Sequence, residues 1–472
     1  MEITSERFKA AAADALTKPQ LKVALNRTTG LLIQRRAEAY AGYAEFEAAR
    51  DVAARIKDHT LEYLDYYLEL FEKNALASGA KVHWAQTAEE ACAITVEICK
   101  SYGARSVTRV KSMLGEELGL PHALEAAGIE RIETDLAEHI IQLAHERPSH
   151  IVMPAMHKTH EEVGELFKTC HAEPQLSDNI GEMVESARRF LRPRYVAADV
   201  GISGANFLIA DTGSICTVTN EGNAELTTAL PKVHIVTVGI EKLVPSMHHA
   251  TAILRLLARS ATGAEITQYT TFYNGPKRAG DHDGPDDMHI ILVDHHRTDM
   301  LGNELKDMLR CIRCGACMNH CPVYGQIGGH AYGSVYPGPM GSVLTPAMAS
   351  LKATKDLPNA CTLNGRCAEV CPVKIPLTDL MRGLRAQQWR EGLIATPWRT
   401  GLKIWAWWAK RPAWYRAALN IKLPMLGLLT GGKGKLGKWP LTGGWTASRD
   451  LPAPAKRSFL AQVQARRPEL VK

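Results

Sequence analysis

A chain of 472 residues, 46% hydrophobic and 22% charged, is long enough for two or three domains and has an ordinary folded composition, which excludes disordered and fibrous classes. Its net charge of +6 conceals an asymmetry: from Arg382 onward 18 Lys and Arg face three acidic residues, a surplus of +15, which leaves −9 on the first 381 residues. The N-terminus carries no apolar signal-peptide core and no apolar run reaches bilayer length, so a cytoplasmic location is expected.

Residues 1–80 read as a helical segment. In "EAARDVAARIKDHTLEYLDYYLELFEK" the residues Val52, Ile56, Leu64, Leu68 and Phe71 recur at helical spacing, with Gly79 as the stop. Over 81–298 short β-rich runs ("KVHWA", "SVTRV", "RIETDL", "HIVMPAM", "KVHIVTVG", "MHIILVD") alternate with amphipathic segments, one of them opened by a capping box at Thr87 and Glu90. Strand then helix, repeated, predicts an α/β domain with a largely parallel sheet covered on both faces. The stretch "GISGANFLIADTGSICTVTNEGN" breaks that alternation and reads as antiparallel strands. A third domain, 299–392, holds two cysteine clusters joined by a Gly/Pro-rich connector, and 393–472 forms a basic, Trp-rich extension.

Seven of the eleven cysteines fall between 311 and 371, and without export signals metal binding is a better reading than disulfides. Cys311, Cys314, Cys317 and Cys321, followed by Pro322, have the C-x2-C-x2-C-x3-C-P spacing of bacterial ferredoxin clusters, in which the fourth cysteine serves the other cluster. Cys361, Cys367, Cys371 and Pro372 repeat the pattern with Asn364 at the second position. Trading last cysteines gives Cys311, Cys314, Cys317 and Cys371 to one [4Fe-4S] cluster, and Cys361, Cys367 and Cys321 to the other. An amide is a poor iron ligand beside a thiolate. The second cluster is therefore expected to be [3Fe-4S], or [4Fe-4S] with an open iron or a non-Cys ligand such as His320, His330 or a carboxylate, and to have the higher potential. Cys92, Cys99, Cys170 and Cys216 read as small buried side chains.

These motifs, with "ETDLAEHIIQLAHERPSHIVMPAMHKT" and "GISGANFLIADTGSICTVTNEGN", resemble over nearly the whole chain the lactate utilisation protein B family, iron-sulfur subunits of a three-part L-lactate oxidising system. The resemblance implies a lactate-utilisation α/β domain, similar to the fold of CoA transferases and sugar-phosphate isomerases, and an α-helical ferredoxin domain with two Fe-S clusters. It also implies two partners, a cysteine-rich A subunit and a C subunit with the α/β domain alone.

Oxidising L-lactate to pyruvate removes two electrons, whereas a cluster accepts one at a time. A formal G-x-G-x-x-G at Gly432 follows no strand and opens no helix, so no flavin or nicotinamide site is expected. The candidate catalytic residues of the α/β domain lie after expected strand ends: Lys111 with Glu116 and Glu117, Asp135 with Glu138, and His157, joined by Glu221 and Asn223 at the close of the β insertion. They offer a cation for a carboxylate, a base for a hydroxyl and amides for orientation; each also has a plainer reading as cap, ion pair or turn former. Two functions follow: an electron-transfer subunit of an L-lactate dehydrogenase complex with an unidentified acceptor, or an acyl- or CoA-handling enzyme with a regulatory ferredoxin domain. The basic tail points to peripheral contact with an anionic membrane or to an acidic partner surface, with nucleic acid disfavoured.

Overall fold

The computed structural model describes residues 3–429, 434–436, 450–455, 457–467 and 469. Gly432 and Gly437 of the formal glycine motif lie outside them. The chain falls into two compact units, residues 1–391 and 392–472.

The centre of the first unit is a six-stranded sheet of β1 (Lys81–Ala85), β2 (Ser106–Arg109), β3 (Glu130–Glu133), β4 (Val200–Ser203), β7 (Val233–Gly239) and β10 (Asp287–Val293), in the order β1-β10-β7-β4-β2-β3. Every pairing in it is parallel, as strand–helix alternation requires. Alternate residues serve opposite faces. Ile235, Ile291 and Val293 pack under the Ala88–Ser101 and Leu120–Ala126 helices, while Val236, Val238, Ile290 and Leu292 meet the Leu64–Ala77 helix. Thr87 caps the first of these helices by accepting the Glu90 N–H at 3.2 Å.

Between β4 and β10 the chain adds a four-stranded sheet ordered β8-β5-β6-β9: β5 (Phe207–Ile209), β6 (Ser214–Thr219), β8 (Leu243–Val244) and β9 (Tyr269–Tyr273). β5 and β6 are antiparallel, as the turn-rich sequence suggests, but β8 pairs with β5 in parallel, and the opening "GIS" belongs to β4 of the main sheet.

Several expectations need correction. The long N-terminal pattern is two helices, Phe46–Glu62 and Leu64–Ala77, broken at Tyr63 (φ −115°, ψ 38°). Val52 is 39% exposed, while Ile56, Leu64, Leu68 and Phe71 are buried. "HIVMPAM" is no strand. The buried His150 ring accepts the N–H groups of Val152 and Met153, both at 3.1 Å, and the Ser149 N–H reaches the Pro154 carbonyl, so local bonds replace a ladder and the segment curls. The Gly/Pro-rich connector contains a buried helix, Gly338–Met348, and Cys170 is exposed rather than buried.

The N-terminal helices of this unit clasp the second cysteine segment. Arg36 donates to the Val370 carbonyl (3.0 Å), and Arg50 to the carbonyls of Glu369 (2.6 Å) and Cys371 (2.7 Å). The second unit contains helices Thr396–Ala409, Pro412–Leu429 and Phe459–Arg466 and a two-stranded ribbon of Lys435–Leu436 with Leu451–Pro452. Its first helix buries nothing, and Trp398 is 73% exposed. Among the described residues no helix is long and apolar enough to cross a membrane.

Candidate functional site: a switch-point cavity beside a pocket of thiols

The two cysteine motifs share one backbone, repeated fifty residues apart. Arg313 and Leu363 both sit in the left-handed region (φ 59° and 56°), which non-glycine residues rarely occupy. That turn aims the Arg313 N–H at Cys311 Sγ (3.4 Å) and the Leu363 N–H at Cys361 Sγ (3.3 Å). Gly315 and Gly365 follow, also at positive φ, and open the short helices Ala316–Asn319 and Arg366–Glu369. Cys314 and Asn364 occupy equivalent places. The amide oxygen of the exposed Asn364 accepts the Arg366 N–H at 3.2 Å.

Cys311, Cys314, Cys317 and Cys371 line one apolar-walled pocket with Ile312 and Val373. Burial first, then the neighbouring thiols, pushes Cys314 up to about 12; burial, only partly offset by backbone N–H groups, pushes Cys371 up to about 11. Cys367 is held at about 12 by burial, then by the nearby Cys361 and Cys321. Tyr332 is buried near Cys321, whose Sγ accepts the Tyr324 N–H at 3.5 Å. All eleven cysteines are free. Thiols gathered in apolar surroundings with backbone N–H groups aimed at the sulfurs are the donor set that iron-sulfur clusters take, so the residues fit that group.

A larger cavity, about 430 Å³, opens at the carboxyl ends of β2, β4 and β7. From β2 the chain moves outward to β3, and from β4 it moves the other way through β7 to β10, so the sheet's topological switch lies between β2 and β4. Open α/β sheets bind ligands at that point. Close approach there needs Gly204, because a Cβ would come within 2.7 Å of Ser112 Oγ.

Four of the eight candidate residues line this cavity: Lys111, Asp135, Glu221 and Asn223. Lys111 Nζ donates to the Val152 carbonyl (2.9 Å) and pairs with Asp135 (3.2 Å), which also caps the Leu136–Leu143 helix. Glu221, an exposed residue at the cavity rim, accepts the Leu136 N–H at 2.9 Å; partial desolvation there, then Asp135, holds its carboxyl above the usual range. Asn223 contacts Thr134 Oγ1 at 3.5 Å.

Glu117 and His157 stand elsewhere. Glu117, fully buried, takes a two-point bond from Arg297 (3.0 and 3.1 Å) and the Tyr336 hydroxyl (2.5 Å), behind the cavity wall. His157 bonds to Glu146 (2.6 Å) and Ser149 (2.7 Å), its ring 4.6 Å from that of His330. Glu116 and Glu138 surround the buried Arg109 with Glu133. His320 Nδ1 is taken by the Ala316 carbonyl (2.9 Å).

Sequence reasoning missed Lys242, Thr237, Glu241, Arg297 and Arg313, all in the cavity wall. Burial first, then Arg313, pushes the Lys242 ammonium down to about 8. Burial pushes the Glu241 carboxyl up, but Arg297 and Arg313 outweigh it and hold the group at about 2. A lysine just after a β-rich run was the available signal. Ile151 and Cys314 line both the cavity and the pocket of thiols.

A family model described as LUD domain matches residues 68–293, and one described as 4Fe-4S dicluster domain matches residues 307–375. Lactate utilization protein B of Lysinibacillus sphaericus is 41% identical over 97% of this chain and 97% of its own length. The chain belongs to the lactate utilization protein B family. Lactate utilization protein B of Shouchella clausii is 43% identical over 92% of this chain and 93% of its own. An Escherichia coli relative, "Uncharacterized electron transport protein YkgF", is 38% identical over 96% and 95%. The family's two parts thus correspond to the parallel α/β region and to the paired cysteine motifs.

Proposed function

We propose that this chain is the iron-sulfur electron-transfer subunit of a complex that oxidises L-lactate to pyruvate, acting with A- and C-type partner subunits on the cytoplasmic side. The observation that carries the reading is the shared wall: a ligand cavity at the switch point and a pocket of four cysteines meet at Ile151 and Cys314. Supporting it are the family relationship and the chemistry of the acid, which releases two electrons and two protons. When bound, each cluster supplies one-electron chemistry.

Within this reading Cys311, Cys314, Cys317 and Cys371 hold one [4Fe-4S] cluster, and Cys361, Cys367 and Cys321 hold the other. Asn364, exposed and with its amide oxygen on the Arg366 N–H, leaves that second cluster [3Fe-4S] or with an iron open to an outside ligand. Glu221 is the proton acceptor for the substrate hydroxyl, since its carboxyl lines the cavity and, beside Asp135, is held above the usual range. Lys111 fixes Asp135 beside it, and Asn223 orients. The six-stranded parallel sheet with its cavity at the strand ends supports placing the α/β region with the CoA-transferase and sugar-phosphate isomerase folds. The Trp-rich basic unit is the contact with an anionic membrane surface.

The test is anaerobic addition of L-lactate to the complex assembled from the three subunits. Bleaching of the cluster absorbance, slowed strongly by Glu221→Gln, is expected; lactate oxidation that leaves the absorbance unchanged over many turnovers is incompatible with the proposal.

A further inference from the structure

We propose that the switch-point cavity of this chain binds a small organic carboxylate, a 2-hydroxy or 2-oxo acid, through Lys242. The inference rests on the reading above, because it names where the substrate of that reading sits.

Lys242 ends the short 3-10 turn Ile240–Lys242 that follows β7, and its side chain lines the cavity. Four cations share that wall, and three are neutralised. Lys111 pairs with Asp135, Arg297 with Glu117 and Glu241, and Arg313 with Glu241 at 3.6 Å while its guanidinium lies 4.7 Å from the Tyr336 ring centroid. Lys242 has no hydrogen bond or ion pair among the described residues, and the carboxylate nearest in sequence, Glu241, is already shared by the two arginines. Lys242 is only partly exposed and has no carboxylate at contact distance among the described residues, so it is the cation of this wall that can take up an incoming anion without giving up a partner.

Thr237 lines the same cavity. It is 1% exposed and its hydroxyl has no partner among the described residues, an unpaired polar group in the wall. Elsewhere in the wall stand Asp135 and Glu221. Two carboxylates there disfavour a second anionic group on the ligand but accept a hydroxyl proton. The complementary molecule therefore has a single carboxylate and, next to it, a hydroxyl or carbonyl oxygen. A volume of about 430 Å³ exceeds what a three-carbon acid fills, so longer 2-hydroxy acids fit as well.

Calorimetric titration of the full-length chain carrying its clusters, with pyruvate and with L-lactate as probes, is expected to give saturable binding at millimolar acid. Lys242→Met should weaken it roughly 10- to 100-fold, the scale of one charge-assisted bond, and Lys242→Arg should restore most of the loss. A second arm needs no variant: lactamide, with an amide in place of the carboxylate, should bind the unaltered chain roughly tenfold more weakly or worse. Equal affinity for lactate and lactamide overturns the site, as does unchanged affinity in a Lys242→Met protein that keeps its iron. Full iron content with no acid binding also overturns the site while sparing the iron-sulfur reading, whereas acid binding by a chain that takes up no iron does the reverse.

Discussion

Tyr332 is buried near Cys321, and polar groups placed around cluster sulfurs are among the levers that raise a potential. Tyr332→Phe is therefore expected to lower the midpoint potential of the centre proposed for Cys321, Cys361 and Cys367 and to leave the other centre in place, as a spectroscopically monitored redox titration will read. Glu117 acts differently. Its Ala variant strands the Arg297 charge with half its counterions in a buried wall, which should cost about 3 kcal/mol of stability in urea unfolding. The cysteines could be read at this scale because thiolate spacing encodes cluster geometry within a few residues. Lys111, Asp135, Glu221 and Asn223 could be read as strand-end polar groups. The Glu117–Arg297 pair could not, because its members are 180 residues apart and only the fold joins them.

Among elements, β7 and β10 were legible because they are buried almost end to end, which leaves near-continuous apolar runs, whereas the equally buried but shorter β4 was absorbed into the antiparallel reading that follows it. The "HIVMPAM" segment has the same composition and no strand, since the His150 ring takes the N–H groups that a ladder would need. The connector helix Gly338–Met348 was hidden for another reason: its glycines serve close packing rather than flexibility. A Cβ on Gly341 would come within 1.6 Å of the Tyr336 carbonyl oxygen, so Gly341→Ala should destabilise by about 3 kcal/mol or more, the upper range for overpacking. Gly30, exposed within the Pro19–Ala41 helix with nothing within 4 Å of an added Cβ, gives the contrast: Gly30→Ala should stabilise by about 0.5–1 kcal/mol. Thermal unfolding of the two variants checks both signs.

For the whole molecule, acid sensitivity follows from histidines held neutral inside the first unit. Burial pushes His139 and His289 down to about 4 and His234 to about 3. The unfolded chain protonates these rings near pH 6.5 and the folded one does not, so it binds more protons across the interval. Stability should fall as pH drops from about 6.5 towards 4, by up to about 1.4 kcal/mol per pH unit for each ring. Urea midpoints at pH 7 and pH 5 will show the decline; a flat profile would mean the rings are solvated. In the second unit, the expected contact is with anionic lipid: vesicles containing phosphatidylserine should sediment the full chain at low salt and release it at high salt, and a chain ending at Glu391 should stay in solution. The most direct measurement of the central claim, that the two motifs exchange their last cysteines, compares EPR spectra of anaerobically prepared, reduced Cys→Ala variants. Cys371→Ala is expected to lose the same centre as Cys311→Ala, and Cys321→Ala the same centre as Cys361→Ala; a Cys371→Ala spectrum that matches Cys361→Ala instead would contradict it.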